Sequence, residues 1–485
     1  MFSSRKNNPG EDVILGIQSL KQPVVAIIGG GVSGAAVAYH LVKRFGRNLP
    51  KIIVFEPRAE IGRGLAYDTE DGAYRINVPA ARMSLQPSDL GEFQAWIQAH
   101  DALRDDPDAA QADGRVFPRR RVFGDYVHWL LKPLLTSGAI IHCRAAVTNV
   151  ERYGSKWLIF DDQGKCTDAN IVVIATTHPP PAAPAQLATP LADHPRYIAD
   201  TTRPSALDVI QRQDRVLILG NGLTAADVIA SLSKRGHQGA VTAISRRGLR
   251  SRGHATTAQD PYGDFITDPA TTASSLLRKI RQTIDEAGGQ ALTWHAVIDQ
   301  LRAQGHELWR ALSTVERQRV VRHLRPYWDA HRFRLAPQVE AVLNAATHEG
   351  RLEMFAASVV DARVVGEEIH CHLQRRHARE TFRQRFDALV VATGPAHGGI
   401  LDSQPWLKGL AEKGYLKIDP TGLGLACNWS SEALGFEGQV MPTLLISGPL
   451  ARGTFGELMG LPQIIGQAVQ IANEIAGKLR QAAVA

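Results

Sequence analysis

Residues 24–56 read VVAIIGGGVSGAAVAYHLVKRFGRNLPKIIVFE, and the fold follows from this stretch. Val24–Gly29 is a short β-branched run that leads straight into glycines, as a buried parallel strand does. Ser33–Arg44 carries Ala, Val, Tyr and Leu with no Gly or Pro after Gly34, and Lys51–Glu56 is a second apolar run that ends in an acid. The pattern predicts β-α-β. Within it Gly29, Gly31 and Gly34 form G-x-G-x-x-G between strand and helix. The first glycine permits the tight turn, the second lets the backbone approach a pyrophosphate, and the third lets helix and strand pack closely. The helix N-terminus adds free N–H groups and partial positive charge. Glu56, at the end of the return strand, can accept hydrogen bonds from a ribose diol. A merely tight turn is the competing reading.

The pattern recurs downstream. Arg215–Gly220 (RVLILG) is the strand, Thr224 to Lys234 the helix and Ala240–Ser245 (AVTAIS) the return strand. Gly220, Gly222 and Ala225 make G-x-G-x-x-A, and the return strand ends in Ser245-Arg246-Arg247 rather than in an acid. An acid there would repel a 2′-phosphate, whereas guanidinium groups grip one with charge-assisted bonds, so the motif favours NADPH over NADH. Arginines that are simply solvated after a strand are the alternative. Two such units, the first with its acid, imply FAD in the first and NADPH as its reductant in the second.

Outward from these units, Ile171–Ala175 and Ala388–Ala392 read as closing strands, each followed by Thr, and Thr443–Ser447 runs into Gly448. Residues 251–346 turn to helical spacing with charges, a helical insertion. The Pro-rich His178–Pro190 is the clearest linker. The expected fold is therefore α/β, with two Rossmann-like dinucleotide-binding domains and a helical insertion. The expected order is a flexible tail (1–21), the first part of an FAD domain (22–190), an NADPH domain (191–390) that holds the insertion, and the second part of the FAD domain (391–485).

The whole chain has 485 residues, 44% hydrophobic and 21% charged, so it can bury a large core and is neither disordered nor fibrous. Lys+Arg 55 against Asp+Glu 48 gives +7, which admits nucleic acid, acidic membrane or an anionic small molecule as partner. No nucleic-acid recognition motif accompanies the charge. The four cysteines, Cys143, Cys166, Cys371 and Cys427, show neither CxxC spacing nor a zinc-like cluster with histidine, which argues against a disulfide scaffold, a metal site and a dithiol redox centre. No run of apolar residues is long enough for a signal peptide core or a membrane span, so a cytoplasmic protein with no membrane insertion is expected. The apolar spacing from Leu458 to Ala472 predicts a helix packed on the sheet.

The order of GGGVSG, GNGLTA, VIATT and VVATG resembles the two-dinucleotide-domain flavoproteins, which include flavin monooxygenases and disulfide reductases. GRGLAYDTEDGAYRINVPAARMS (62–84), FPRRRVFGDY, SRRGL and RHLRPYWDAHRFRLAP resemble a bacterial FAD/NAD(P)-binding family whose relatives include urate hydroxylases and amino-acid N-hydroxylases. The resemblance implies that Gly29, Gly31, Gly34 and Glu56 hold the FAD adenosine half, that Asn77, Val78 and Met83 lie near the flavin, and that Gly448 presents backbone to it. Thr393-Gly394 keeps the family's usual cofactor-side pair, while Thr176-Thr177 stands where relatives often have Thr-Gly.

Without a CxxC, electrons must leave the flavin by a route other than a dithiol. The resemblance implies oxygenation: NADPH reduces the flavin, oxygen adds at its C4a carbon, and one oxygen atom reaches a small anionic or nitrogen-rich metabolite. Urate is the first candidate substrate and an acidic amino acid the second. A flavin reductase or electron-transfer protein that oxygenates nothing is the alternative. No catalytic base stands out in the sequence. Arg82 and Arg119 are candidate partners for a substrate anion, against a role in FAD phosphate binding or surface pairing. His323, Arg325, His331, Arg332 and Arg334 around Trp328 read as a lid or as a structural ion-pair network.

Overall fold

A computed structural model of the chain describes residues 22–378 and 380–484; the expected tail at 1–21 lies outside the described residues. The first unit is β1 (Val24–Ile28), α1 (Val32–Phe45) and β2 (Lys51–Phe55). β1 pairs in parallel with β2 on one side and with Ile171–Ile174 on the other. These strands are apolar on both faces because helices or a second layer cover both, as parallel sheets require. The six-stranded sheet is completed by Ile141–Cys143 at one edge and by Val440–Ile446 and Glu432–Leu434 at the other. Both halves of the chain thus build it.

The second unit is β3 (Val216–Leu219), α2 (Leu223–Lys234) and β4 (Val241–Ser245), in a seven-stranded sheet that also takes Ala388–Val391 and Tyr197–Ile198. Its far edge is an antiparallel meander over Leu352–Val365, Glu368–Arg375 and Thr381–Phe386, and a separate antiparallel sheet runs from Val147 to Ala169. Neither meander is among the elements expected from sequence. Their strands alternate buried and exposed residues, as in Lys156–Asp161, and give no continuous apolar run.

The chain crosses between units at a bridge between Pro181 and Pro395. Helix Ala185–Leu191 buries Leu187 and Leu191 against the second sheet, and Val391 belongs to that sheet too. The crossings therefore lie nearer 181 and 395 than the 190 and 390 expected from composition.

Helices fill Ala273–Gly289, Trp294–Ala303, Gly305–Ala311, Thr314–Arg319, Arg325–Arg332 and Pro337–His348. Thr272 opens the first with a reciprocal capping box to Ser275. The insertion has its own core of Phe265, Val297, Leu301 and Trp309. It also leaves the unit that carries it: Trp309 Nε1 donates to the Gly453 carbonyl at 2.9 Å, and Arg332 Nε to Glu457 at 2.7 Å, both in the C-terminal part of the first unit. Helix Leu461–Val484 lies along α1, burying Leu461, Ile465, Ala468, Ile471 and Ala472. No helix among the described residues is long and apolar enough to cross a membrane.

Candidate functional site

A cleft of about 850 Å³ opens between the two units. One end is walled by Gly29, Gly31, Ser33, Glu56, Thr176, Pro449, Met459 and Leu461, and the other by Tyr74, Arg120, Thr224 and Asp227. Its size falls in the range of small-molecule and cofactor sites.

The glycines of the two loops divide by role. A Cβ on Gly29 would lie 2.6 Å from the Ala175 carbonyl oxygen, and one on Gly34 would collide with the Gly29 carbonyl; Gly29 also sits at φ +104°. Gly220, at φ +126°, is pressed against Ala392 in the same way. By contrast a Cβ on Gly31 would meet only the Gly64 Cα at an ordinary 3.6 Å, and one on Gly222 would meet nothing within 4 Å. The protein itself does not require glycine at 31 or 222. Both are extended N-caps, φ −65° and −87°, with no side chain capping the helix. An uncapped helix end bordered by a glycine its own fold does not need is what a pyrophosphate requires. Ala225, in the third position of the second loop, is fully buried.

Glu56 is buried, with Oε2 accepting from Gly30 N at 3.0 Å and Oε1 from Arg58 N at 3.0 Å. It ties the glycine loop to the strand end; Oε1 also accepts from Arg58 Nη1 at 3.4 Å, while Oε2 keeps a lone pair for a ribose hydroxyl. Thr176 Oγ1 on the cleft wall and both side-chain amide atoms of Asn221 in the second loop are buried without a hydrogen-bond partner in the protein. Buried polar groups are paired in native structures, so these atoms fit cofactor groups. In the sequence Thr176 keeps the first place of the pair whose second place, Thr177, departs from the relatives' glycine, and Asn221 carries no signal beyond being the middle residue of G-N-G.

Other expected residues fall elsewhere. Asn77, Val78 and Met83 do not line the cleft: Met83 is buried in the core with Phe93 and Tyr126, Val78 packs on that core, and the Asn77 carbonyl lies 3.1 Å from His254 Nε2. Gly448 does not offer its N–H to a ligand, because that group donates to Gln467 Oε1 at 2.7 Å; its neighbour Pro449 is the one on the cleft wall. Thr393 and Gly394 follow the strand against which Gly220 packs, so they belong to the second unit's loop. Arg246 is exposed, while Arg247 reaches Tyr327 of the insertion, Nη1 to hydroxyl 3.3 Å. Arg119 is engaged by the Asp105 carbonyl at 2.8 Å and by Asp106. Arg82 is exposed and acts on Asp299 of the insertion. In the insertion, Arg332 and Arg334 are buried in ion pairs, as the structural reading of that cluster expects.

All four cysteines are free and none lines the cleft. Burial pushes the thiols of Cys371 and Cys427 up to about 12. No group of His, Cys, Asp and Glu among the described residues is arranged to hold a metal ion. Two histidines near the site are kept neutral. Burial, aided by Arg334 and Arg115, pushes His254 down to about 3, and burial with Arg452 and Arg325 pushes His178 down to about 4.

Residues 26–179 match the model of a family described as FAD-NAD(P)-binding. No curated protein sequence matches the chain. Among solved structures, ornithine hydroxylase from Pseudomonas aeruginosa is similar at 16% identity, covering 94% of this chain and 99% of that one, with a TM-score of 0.63. L-lysine 6-monooxygenase from Pseudomonas syringae gives 18%, 95%, 99% and 0.62. The ornithine N-hydroxylase of Kutzneria sp. 744, solved with reduced FAD, NADP+ and L-ornithine, gives 17%, 94%, 99% and 0.59.

Two outcomes follow from this geometry. Gly31→Ala should fold with the wild-type thermal midpoint and lose at least tenfold in FAD affinity, read from the colour of the purified protein, whereas Gly34→Ala should fail to fold; equal flavin content in Gly31→Ala and wild type would contradict the division of roles. His254 and His178 take up protons on unfolding, with an unfolded pKa near 6.5, before they do when folded. Their lowered folded values therefore give stability that is present above pH ~6.5 and is lost as pH falls toward 4, by about 1.4 kcal/mol per pH unit for each group. His254→Gln, which keeps a donor for Asn77, should flatten the dependence of the thermal midpoint on pH between 6.5 and 4 by about one proton. Residues 26–179 thus match the FAD-NAD(P)-binding family model, and the chain as a whole shares its fold with the ornithine and lysine hydroxylases.

Proposed function

We propose that the protein is an FAD- and NADPH-dependent monooxygenase that hydroxylates the amine of a small anionic metabolite, an acidic amino acid being the leading candidate. The observation that carries this reading is a cleft faced by both dinucleotide units, with Gly31 on its wall, Thr224 of α2 across from it, and glycines 31 and 222 both left open by the fold at uncapped helix ends. That hydroxylases of ornithine and lysine share the fold over nearly the whole chain supports N-hydroxylation. Urate, the first candidate from the sequence, finds no counterpart among these structures and gives way to the amine.

In the overall reaction one oxygen atom enters the amine to give a hydroxylamine, the other leaves as water, and NADPH with one proton supplies the electron pair. The bound flavin supplies the chemistry of accepting hydride and activating oxygen. The protein's residues bind and orient. The N-terminus of α1 and Gly31 receive the FAD pyrophosphate, Glu56 the ribose, and Thr176 offers a hydroxyl on the same wall. The N-terminus of α2 with Gly222 and Asn221 receives NADPH. Arg246 and Arg247 stand at the end of β4, where the 2′-phosphate of a nucleotide on that loop would come.

The electron-transfer alternative is separated by oxygen bookkeeping. With labelled oxygen, NADPH and an acidic amino acid, one labelled atom should appear per hydroxylamine formed; rapid quinone reduction with no labelled product would establish the alternative. Arg246→Ala with Arg247→Ala should raise the KM for NADPH tenfold or more and leave that for NADH nearly unchanged, since each charge-assisted bond contributes about 1.5 to 3 kcal/mol. Equal effects on both nucleotides would remove the arginines from cofactor selection.

A further inference from the structure

The insertion meets the first unit through a group of buried arginines with too few carboxylates. Arg302, Arg332, Arg334 and Arg452 are 15%, 2%, 7% and 4% exposed. Asp299 is taken by Arg334, at 3.0 and 3.1 Å, and Glu457 by Arg332. Arg452 reaches Asp329 only at 3.5 Å, and Asp329 is shared with Arg325. Arg302 is left with a 3.4 Å contact to the already occupied Asp299, and its Nε is buried with no partner. Burial and the neighbouring Arg332 push the Arg302 guanidinium down to about 10. A charge held in this way needs an anion.

The position of the group relates it to the cleft. Gly460 lies between Met459 and Leu461, both on the cleft wall. A Cβ on Gly460 would stand 2.5 Å from Arg332 Nη2 and from Gln463 Oε1 and 3.4 Å from Arg302 Nη2. Gln463 Oε1 is itself buried and unpaired, as is Glu457 Oε2. Arg334 helps to hold His254 neutral, and His254 lies on the Asn77 carbonyl. A positive surplus and two unused acceptor oxygens thus converge around Gly460, behind the stretch whose neighbours Met459 and Leu461 line the cleft.

We infer that Arg302, backed by Arg334, anchors a carboxylate of the substrate beside Gly460, while the Gln463 and Glu457 oxygens accept from the substrate's N–H groups. The inference rests on the monooxygenase reading for the word substrate, and it deepens that reading by naming the selectivity: an amine that carries a carboxylate, rather than a diamine that has none. Arg302 is a binding residue here and takes no part in bond making.

The FAD-loaded protein is titrated with succinate, L-aspartate and the carboxylate-free diamine cadaverine, following the visible spectrum of the bound flavin and the thermal midpoint. Succinate and aspartate should perturb both, cadaverine neither; in Arg302→Gln the dissociation constants for the two anions should rise at least tenfold at unchanged FAD content, with Arg302→Lys recovering part of the loss. Should Arg302→Gln not fold, Arg302→Lys provides the same test with a smaller increase. An Arg302→Gln protein that binds the anions as wild type does, or a wild type that responds to cadaverine and not to the anions, would overturn the inference. Arg302-dependent binding of succinate without labelled oxygen in any amine would leave the anion site standing and remove the oxygenase reading; labelled hydroxylation of cadaverine alone would do the reverse.

Discussion

The close approach of a positive-φ glycine to the end of the neighbouring strand is the constraint on which the rest of the molecule depends. Gly29 abuts Ala175 and Gly220 abuts Ala392, each with the backbone so near that a methyl group has no room. Left-handed backbone at these points turns the chain sharply from strand to helix, and the turn aims the helix N-terminus along the top of the sheet. Because both units do this, two uncapped helix ends border one cleft. Ala175–Thr176 and Ala392–Thr393 are thereby fixed as the floors of the two loops, and those strand ends lead directly to the crossings at Pro181 and Pro395. The position of the site and the path of the chain between units have a common cause.

Polar contacts hold the units together across that cleft. Arg120 of the first unit pairs with Asp227 of α2 at 2.6 Å, and Asp71 accepts from Ser231 and Arg235 of the same helix. Burial pushes the Asp227 carboxyl up from its ordinary value even with Arg120 beside it, so this pair contributes less than its distance suggests. The insertion supplies the second tie, through Trp309 and Arg332 to Gly453 and Glu457. A tie of paired charges resists separation weakly and sliding strongly, since its geometry is directional. Relative placement of the units is set by this polar matching together with an apolar contact, since Phe117 and Ala73 of the first unit pack into the core of the second.

Sequence patterns revealed the parts of the fold that are local. Both βαβ units, the closing strands and the insertion follow from apolar runs and helical spacing, with boundaries shifted by a residue or two, as at α1, which starts at Val32 rather than Ser33. The antiparallel meanders escaped notice because half of each strand faces water. Site residues divide on the same line. Glycine loops and Glu56 are legible because their chemistry is fixed by spacing along one segment. Met83 and Gly448 rest on the resemblance, which gives a neighbourhood and no direction: the Met83 side chain turns into the core and the Gly448 N–H is committed to Gln467. Arg302 and Gln463, far apart in sequence, had no shared motif; only the packing of the insertion against the last helix brings them to Gly460.

The same packing bears on the basic character of the chain. A net charge of +7 on the whole sequence admits nucleic acid or acidic membrane as partner, yet a binding surface for either needs its cations in solvent, where they can displace counterions. Arg75, Arg332, Arg334 and Arg452 are buried, with Arg75 paired to Asp106 at 2.8 Å. Guanidinium groups are costly to bury, and a fold holds them inside when they are matched by carboxylates or by a ligand. Arg75 has its carboxylate; the arginines beside Gly460 have fewer than they need. Charge buried where the insertion meets the first unit cannot serve such a surface, and the site inferred beside Gly460 would take an anion small enough to enter the fold.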